Sequence, residues 1–163
     1  MFIDLYSIVM AMKSLIVLLS YHHKNTEKIA EAMASILDAE IKTPQQIDPG
    51  RLSEYDRVGF GSGIYLGQHH KVLLDFADKL PQVTNKKAFI FSTSGQTGKT
   101  SKFHQRLKEK LQSKGYNVVA EFNCAGFGTF GALKIVGGIK KGRPNAEDVK
   151  QAEIFAQNLM QKT

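Results

Sequence analysis

The apolar run Ser14-Leu15-Ile16-Val17-Leu18-Leu19 ends at Ser20 and passes through Tyr21, His22, His23 and Lys24 to Asn25 and Thr26, where a helical pattern starts. Residues of these types in this order can hold an anion. A buried parallel strand reads as a near-continuous Leu/Ile/Val run. The loop at its carboxyl end delivers a helix whose first N–H groups lack partners and carry the positive end of the macrodipole. Hydroxyls at Ser20 and Thr26, the amide of Asn25 and the imidazoles of His22 and His23 would complete a phosphate cradle without a metal. The same residues also suit an ordinary capped helix after a strand, so the rest of the chain must decide.

Three further segments offer groups suited to a flat ligand with a polar edge. Gly61-Ser62-Gly63-Ile64-Tyr65-Leu66-Gly67 combines glycines, which let a backbone approach a ring, with Tyr65, which can stack on it. Ser92-Thr93-Ser94-Gly95 supplies hydroxyls and amides, and the stretch from Cys124 brings Phe127 and Phe130 toward the same mouth. Cys124 is the only cysteine, so no intramolecular disulfide can form and a reducing cytoplasm is the natural setting. With no resolving partner it reads as a small packed residue rather than a redox thiol. His69 and His70, at a helix start, read as surface residues, and no His/Asp/Glu set has metal-ligand spacing.

The elements that must position these groups follow a strand-then-helix alternation, which implies an α/β fold with a parallel sheet and helices on both faces. Helices are expected over Asn25–Leu37, His69–Leu80, Thr100–Lys114 and Ala146–Met160. Strands are expected over Ser14–Leu19, Ala39–Ile47, Tyr55–Gly61, Lys86–Ser92 and Tyr116–Asn123. Gly115 supplies a stop, and Pro144-Asn145 the turn into the last helix. Ligands bind such sheets at the carboxyl ends of the strands, and all four candidate segments fall there. At 163 residues the chain suits one core. Residues 1–11 are apolar but carry Asp4, and Lys13 interrupts the run well short of the ~20 residues a membrane span needs. They read as neither signal nor anchor but as an N-terminal extension upstream of a domain spanning residues 12–163.

Other readings of the same segments fail on chemistry. Thr93 to Thr100 approaches the phosphate loop of nucleoside triphosphatases, but it begins with Thr instead of Gly, and no apolar strand ending in Asp follows to hold magnesium. Gly61 to Gly67 has one residue too many between its later glycines for a dinucleotide fingerprint. A phospho-acceptor receiver domain needs carboxylates where this chain has Ser20 and Gly61. The formal net charge is +7, with Lys99, Lys102, Arg106, Lys108, Lys110 and Lys114 on or beside one helix. Such a face suits an acidic protein partner, an anionic membrane surface or nucleic acid, or is a solvated helix face.

Taken together and in this order, Ser20 with His22 to Thr26, Gly61 to Gly67, Phe91 to Gly95, Cys124 to Phe127 and Gly137 to Asn145 resemble the short flavodoxins of anaerobic prokaryotes and archaea. The resemblance covers nearly everything after Met12. It implies a three-layer, doubly wound, five-stranded sheet in the order 2-1-3-4-5. It also implies noncovalent FMN, with phosphate in the first loop and the isoalloxazine between the segments at 61–67 and 92–95. The implied cofactor contacts are Ser20, His22, His23, Lys24, Asn25, Thr26, Ser62, Gly63, Ile64, Tyr65, Leu66, Gly67, Ser92, Thr93, Ser94, Gly95, Cys124 and Phe127. No catalytic residue and no metal are implied. Lys24 stands where the family usually has Gly, and a basic charge is unlike the acidic surface of well-known flavodoxins.

The implied role is a small cytoplasmic electron carrier between redox partner proteins, acidic ones on charge grounds, with no nucleic acid and no membrane insertion. The alternative is an NAD(P)H-dependent FMN or quinone reductase, or a protoporphyrinogen-oxidising flavoenzyme. A glycine turn at Gly61–Gly63 is expected to swing a carbonyl toward flavin N5 and favour one-electron transfer, with Tyr65 packing against the ring.

Overall fold

The computed structural model describes residues 12–21, 24–127 and 142–162. The first apolar run forms β1 (Ser14–Leu19), buried along its whole length, and leads into α1 (Asn25–Leu37), which turns Ile29, Ala30, Met33 and Leu37 inward. Next come β2 (Glu40–Lys42), a 3-10 turn (Pro49–Glu54), β3 (Arg57–Tyr65), β4 (Gln68–His69) and α2 (Lys71–Asp78). The chain continues through β5 (Lys86–Ser94), α3 (Thr100–Ser113), β6 (Tyr116–Ala125) and α4 (Ala146–Gln161).

Five strands pair in parallel in the order β2-β1-β3-β5-β6, the expected doubly wound arrangement, since β5 and β6 are the fourth and fifth strands of the sequence reading. One face carries Leu15, Val17, Val58, Phe60, Ala88 and Ile90 against α2 and α3. The other carries Ile16, Leu18, Phe89 and Phe91 against α1 and α4. This alternation along each strand is the period of two that places successive side chains on opposite faces. Asn145 and Asp148 start α4 with a capping box, and Arg143 donates to both carboxylate oxygens of Asp148.

Four local expectations change. Strand β2 is confined to Glu40–Lys42, because the polar, proline-bearing stretch after it turns away from the sheet. Strand β3 runs four residues past Gly61 to Tyr65 and folds back through Leu66-Gly67 into β4, which pairs antiparallel with it. Helix α2 begins at Lys71, with the His70 ring accepting a hydrogen bond from the Val72 N–H as its cap. His69, expected at the surface, is buried in β4.

The extension of β3 also places Gly61, the start of the expected carbonyl swing, inside the sheet. Gly61 and Ser62 are paired with β1 on one side and β5 on the other, and Gly63 is paired with Thr93. The glycines serve packing instead. Gly59 lies opposite Phe89 and Gly61 opposite Phe91, and a Cβ at either would stand 2.2 Å from the facing ring. The two phenylalanines use that room to cover the sheet. Residues 1–11, the possible extension, and 128–141, including Phe130 and Gly137 to Lys141, lie outside the described residues.

Candidate functional site

The carboxyl ends of β1, β3, β5 and β6 converge on an open cleft of about 390 Å³, mouth included. Its α1 side is built by Ser20, Tyr21, Asn25 and Thr26. One wall is Gly63, Ile64 and Tyr65, and the other is Thr93, Ser94 and Gly95, with Gly126 and Phe127 completing the lining. Residues 67 and 102 positions apart in sequence bond here because the sheet brings those strand ends side by side, the usual ligand position at a topological switch point.

Side-chain bonds stitch these loops together. The Asn25 amide donates to the Phe127 carbonyl at 2.7 Å, joining the start of α1 to the loop after β6. The Thr26 and Thr93 hydroxyls bond at 2.9 Å, joining α1 to β5. The Gly126 N–H donates to the Ser94 carbonyl, and the Phe127 N–H to that of Arg143. Asn25 and Thr26 therefore line the cleft with side chains already engaged in holding it. Their contribution to an anion falls to the first-turn backbone N–H groups of α1, which have no helical carbonyl to bond. Ser20 Oγ lies within 3.3 Å of the Glu27 N–H and marks the same end of the helix.

Lys24 has φ 53° and ψ 30°, the left-handed conformation, and no side chain caps the helix there. That geometry explains why glycine suits this position and what lysine adds: a cation beside the helix start, at a conformational cost. His22 and His23 lie outside the described residues. At the opposite wall, Leu66 at φ 52° and Gly67 at φ 78° form the tip of the β3–β4 hairpin, and the Leu66 side chain is fully exposed. Neither residue lines the cleft itself. The rings of Tyr21 and Tyr65 both meet the His70 imidazole edge-on, with centroids 5.2 and 4.9 Å away, so aromatic groups flank the mouth beside that tip.

Three expected contacts point elsewhere. Ser62 and Ser92 are register partners on the α2/α3 face, the same face as Phe60 and Ile90, and both are wholly buried. Ser62 Oγ bonds His69 Nδ1 at 2.8 Å and Ser92 Oγ bonds His104 Nε2 at 2.7 Å. Neither hydroxyl can reach a ligand in the cleft. Cys124 is buried among the α1/α4 core residues, and burial pushes its thiol up to about 12, which leaves it unreactive.

Of the two buried histidines, the sequence reading placed His69 at the surface and did not single out His104. Their rings lie 5.0 Å apart between α3 and the ends of β3 and β5. Burial holds both imidazoles neutral, driving His69 well below its ordinary value and His104 down to about 4. The available signal was the strand period: Val58, Phe60 and Ser62 share one parity, as do Ala88, Ile90 and Ser92, so each serine had to point into the core and needed a polar partner there.

An α/β sheet with an anion-ready helix start, an aromatic-flanked mouth and a hydroxyl-bearing wall at its switch point defines a protein that binds a phosphorylated, planar ligand. The family model for the flavodoxin domain matches residues 16–142. An uncharacterized protein of Methanocaldococcus jannaschii is 48% identical over 149 residues, covering 91% of this chain and 99% of that protein. Oxidised flavodoxin 2 from Bacillus cereus superposes with a TM-score of 0.70 at 21% identity, covering 93% of this chain and 99% of its own. A flavodoxin from the domain Archaea gives 0.62 at 16% identity, with coverage of 93% and 98%. The chain belongs to the flavodoxin domain family, whose cofactor is FMN.

The residues present fit that cofactor. Glycines let its lining close up: a Cβ at Gly126 would stand 2.8 Å from the Asn25 amide nitrogen, and one at Gly63 3.2 Å from the Tyr65 ring. Among the described residues no helix is long and apolar enough to cross a membrane.

Proposed function

We propose that this protein is an electron carrier that holds FMN in the cleft and exchanges electrons with redox partner proteins at its mouth. The observation that carries the reading is the juxtaposition of the α1 N-terminus with a slot between Gly63–Tyr65 and Thr93–Gly95, all opening beside exposed Tyr21 and Leu66. The α1 N–H groups and Ser20, with Lys24 nearby, would hold the phosphate. Tyr65 would pack on the ring, and the backbone and hydroxyls of Thr93, Ser94 and Gly95 would bind its polar edge.

The chemistry supplied by FMN when bound is reversible one- and two-electron oxidation and reduction. The protein's own part is to orient the ring, limit water at its buried edge and leave the opposite edge reachable. Gly61 and Ser62 are paired on both sides, whereas Gly63, Ile64 and Tyr65 are paired on one side only. The stretch from Gly63 to the hairpin tip at Leu66-Gly67 is therefore where a peptide beside a bound ring has room to reorient.

A visible absorption spectrum of the purified protein tests the cofactor, with FMN rather than FAD expected on denaturation. Anaerobic stopped-flow mixing with NADPH tests the role. The described residues form one doubly wound domain with no second nucleotide-binding domain among them, so slow bleaching by NADPH is expected. Rapid bleaching by the isolated protein would replace the carrier with an NADPH-dependent reductase.

A further inference from the structure

Beneath the cleft lies a hydrogen-bonded series that touches no ligand yet ends on a cleft wall. Glu121 on β6 bonds His104 Nδ1 on α3 at 3.2 Å and also receives Lys108 Nζ at 3.1 Å. A carboxylate only accepts, so the His104 proton sits on Nδ1 and Nε2 accepts from the Ser92 hydroxyl at 2.7 Å. Asn123 Nδ2 donates to Ser92 Oγ at 2.8 Å and lies 3.1 Å from Ser94 Oγ. Ser94 lines the cleft, its hydroxyl bonds the Gln96 carbonyl, and its own carbonyl accepts from the Gly126 N–H.

The Glu121–His104–Ser92 polarity is that of a hydrolytic triad, but Ser92 has no accessible surface, so no acyl substrate can reach it. Such a series, buried and satisfied link by link, instead fixes geometry. On the other wall, His69 and the His70 N–H hold Ser62 Oγ, which bonds the Gly63 carbonyl at 2.7 Å. The two histidine rings, tilted by 38°, lie 5.0 Å apart in the buried layer beneath the walls.

We propose that His104 is a positioning residue: through Ser92 and Asn123 it holds the Thr93–Gly95 wall in the geometry that binds the flavin ring. The inference rests on the reading of the cleft as the FMN site. It predicts a selective defect in which ring binding suffers and the phosphate site, at the far end of the cleft on α1, does not.

The experiment measures dissociation constants of the apoprotein for FMN and for riboflavin by flavin fluorescence, and for inorganic phosphate as a competitor of FMN. His104→Asn keeps the group facing Glu121 and loses the one facing Ser92. His104→Gln keeps reach to Ser92 and is the rescue variant. Ser92→Ala cuts the series at its middle with a minimal change of volume, and it decides the matter where His104→Asn does not fold.

His104→Asn and Ser92→Ala are expected to weaken riboflavin and FMN alike by about tenfold, the worth of one buried hydrogen bond. His104→Gln should stay within about threefold of the parent protein, and the phosphate constant should be unchanged throughout. Unchanged riboflavin binding in Ser92→Ala, or equal losses of riboflavin and phosphate in every variant, would overturn the positioning role while leaving the FMN reading intact. A parent protein that binds neither flavin overturns both.

Discussion

At the scale of single residues, the site combines groups held at a conformational cost with groups held at an electrostatic one. Lys24 occupies a left-handed position where a side chain costs about 1 kcal/mol relative to glycine. Lys24→Gly is therefore expected to stabilise the fold by up to about 1 kcal/mol in urea titration. It should weaken FMN binding several-fold while leaving riboflavin unaffected, since only the phosphate loses a cation. His104 is buried with its value lowered from 6.5 to about 4. The unfolded chain takes up a proton near 6.5 and the folded chain does not, so stability is full above that range and declines as pH falls from 6.5 toward 4. The loss from this group is about 3 kcal/mol, and His69, driven low by the same burial, adds a loss of the same sign, so denaturant midpoints at neutral pH and near pH 4 should differ by more than His104 alone accounts for. Asp148, held low by Arg143, adds its own loss only within the carboxylate range below that window.

The elements were legible in the sequence where pattern and burial agree. The apolar β1 run, the helix stripes and the glycine stop at 115 predict a parallel sheet with helices on both faces, while the strand order followed from the flavodoxin resemblance. The β3–β4 hairpin was not legible, since its tip places a leucine at positive φ, where glycine or asparagine is the usual sign of such a turn. Ser62 and Ser92 were assigned to the ligand because their segments read as loops. Extending each strand by a few residues fixes which face every side chain takes. The glycines test this reading. A Cβ at Gly61 collides with the Phe91 ring, so Gly61→Ala should cost at least 1–3 kcal/mol, about the penalty of core overpacking. At Gly67 nothing lies within 4 Å, so Gly67→Ala should cost only about 1 kcal/mol for its backbone conformation. Thermal melts of the two variants would show that difference directly, and equal shifts would remove the packing account of Gly61.

For the whole molecule, the deciding quantity is where the net charge of +7 is left unpaired. Lys108 and Lys110 on α3 are engaged by Glu121 and Asp78, and Lys71 by Asp75. Lys99, Lys102 and Arg106 are exposed and have no carboxylate within ion-pair distance among the described residues; Arg106 reaches only the Gln68 amide oxygen on the hairpin that carries Leu66. Their spacing of three and four places them along one stripe of α3, running past the β3–β4 hairpin beside the cleft. A positive stripe next to an electron-exchange edge raises the encounter rate with an acidic protein and lowers it with a basic one, through a field that salt screens. Electron exchange with an acidic one-electron carrier should therefore slow about tenfold between ~0.05 M and ~0.5 M salt. The double variant Lys102→Glu, Arg106→Glu should show a similar loss at low salt, with FMN affinity unchanged because neither residue lines the cleft. With a basic carrier the dependence should reverse, the rate rising with salt for the parent protein and rising less steeply for the variant, whose net charge falls from +7 by four. Stopped-flow traces at a series of ionic strengths measure both, and rates indifferent to salt for either carrier would mean that this stripe is only solvated surface.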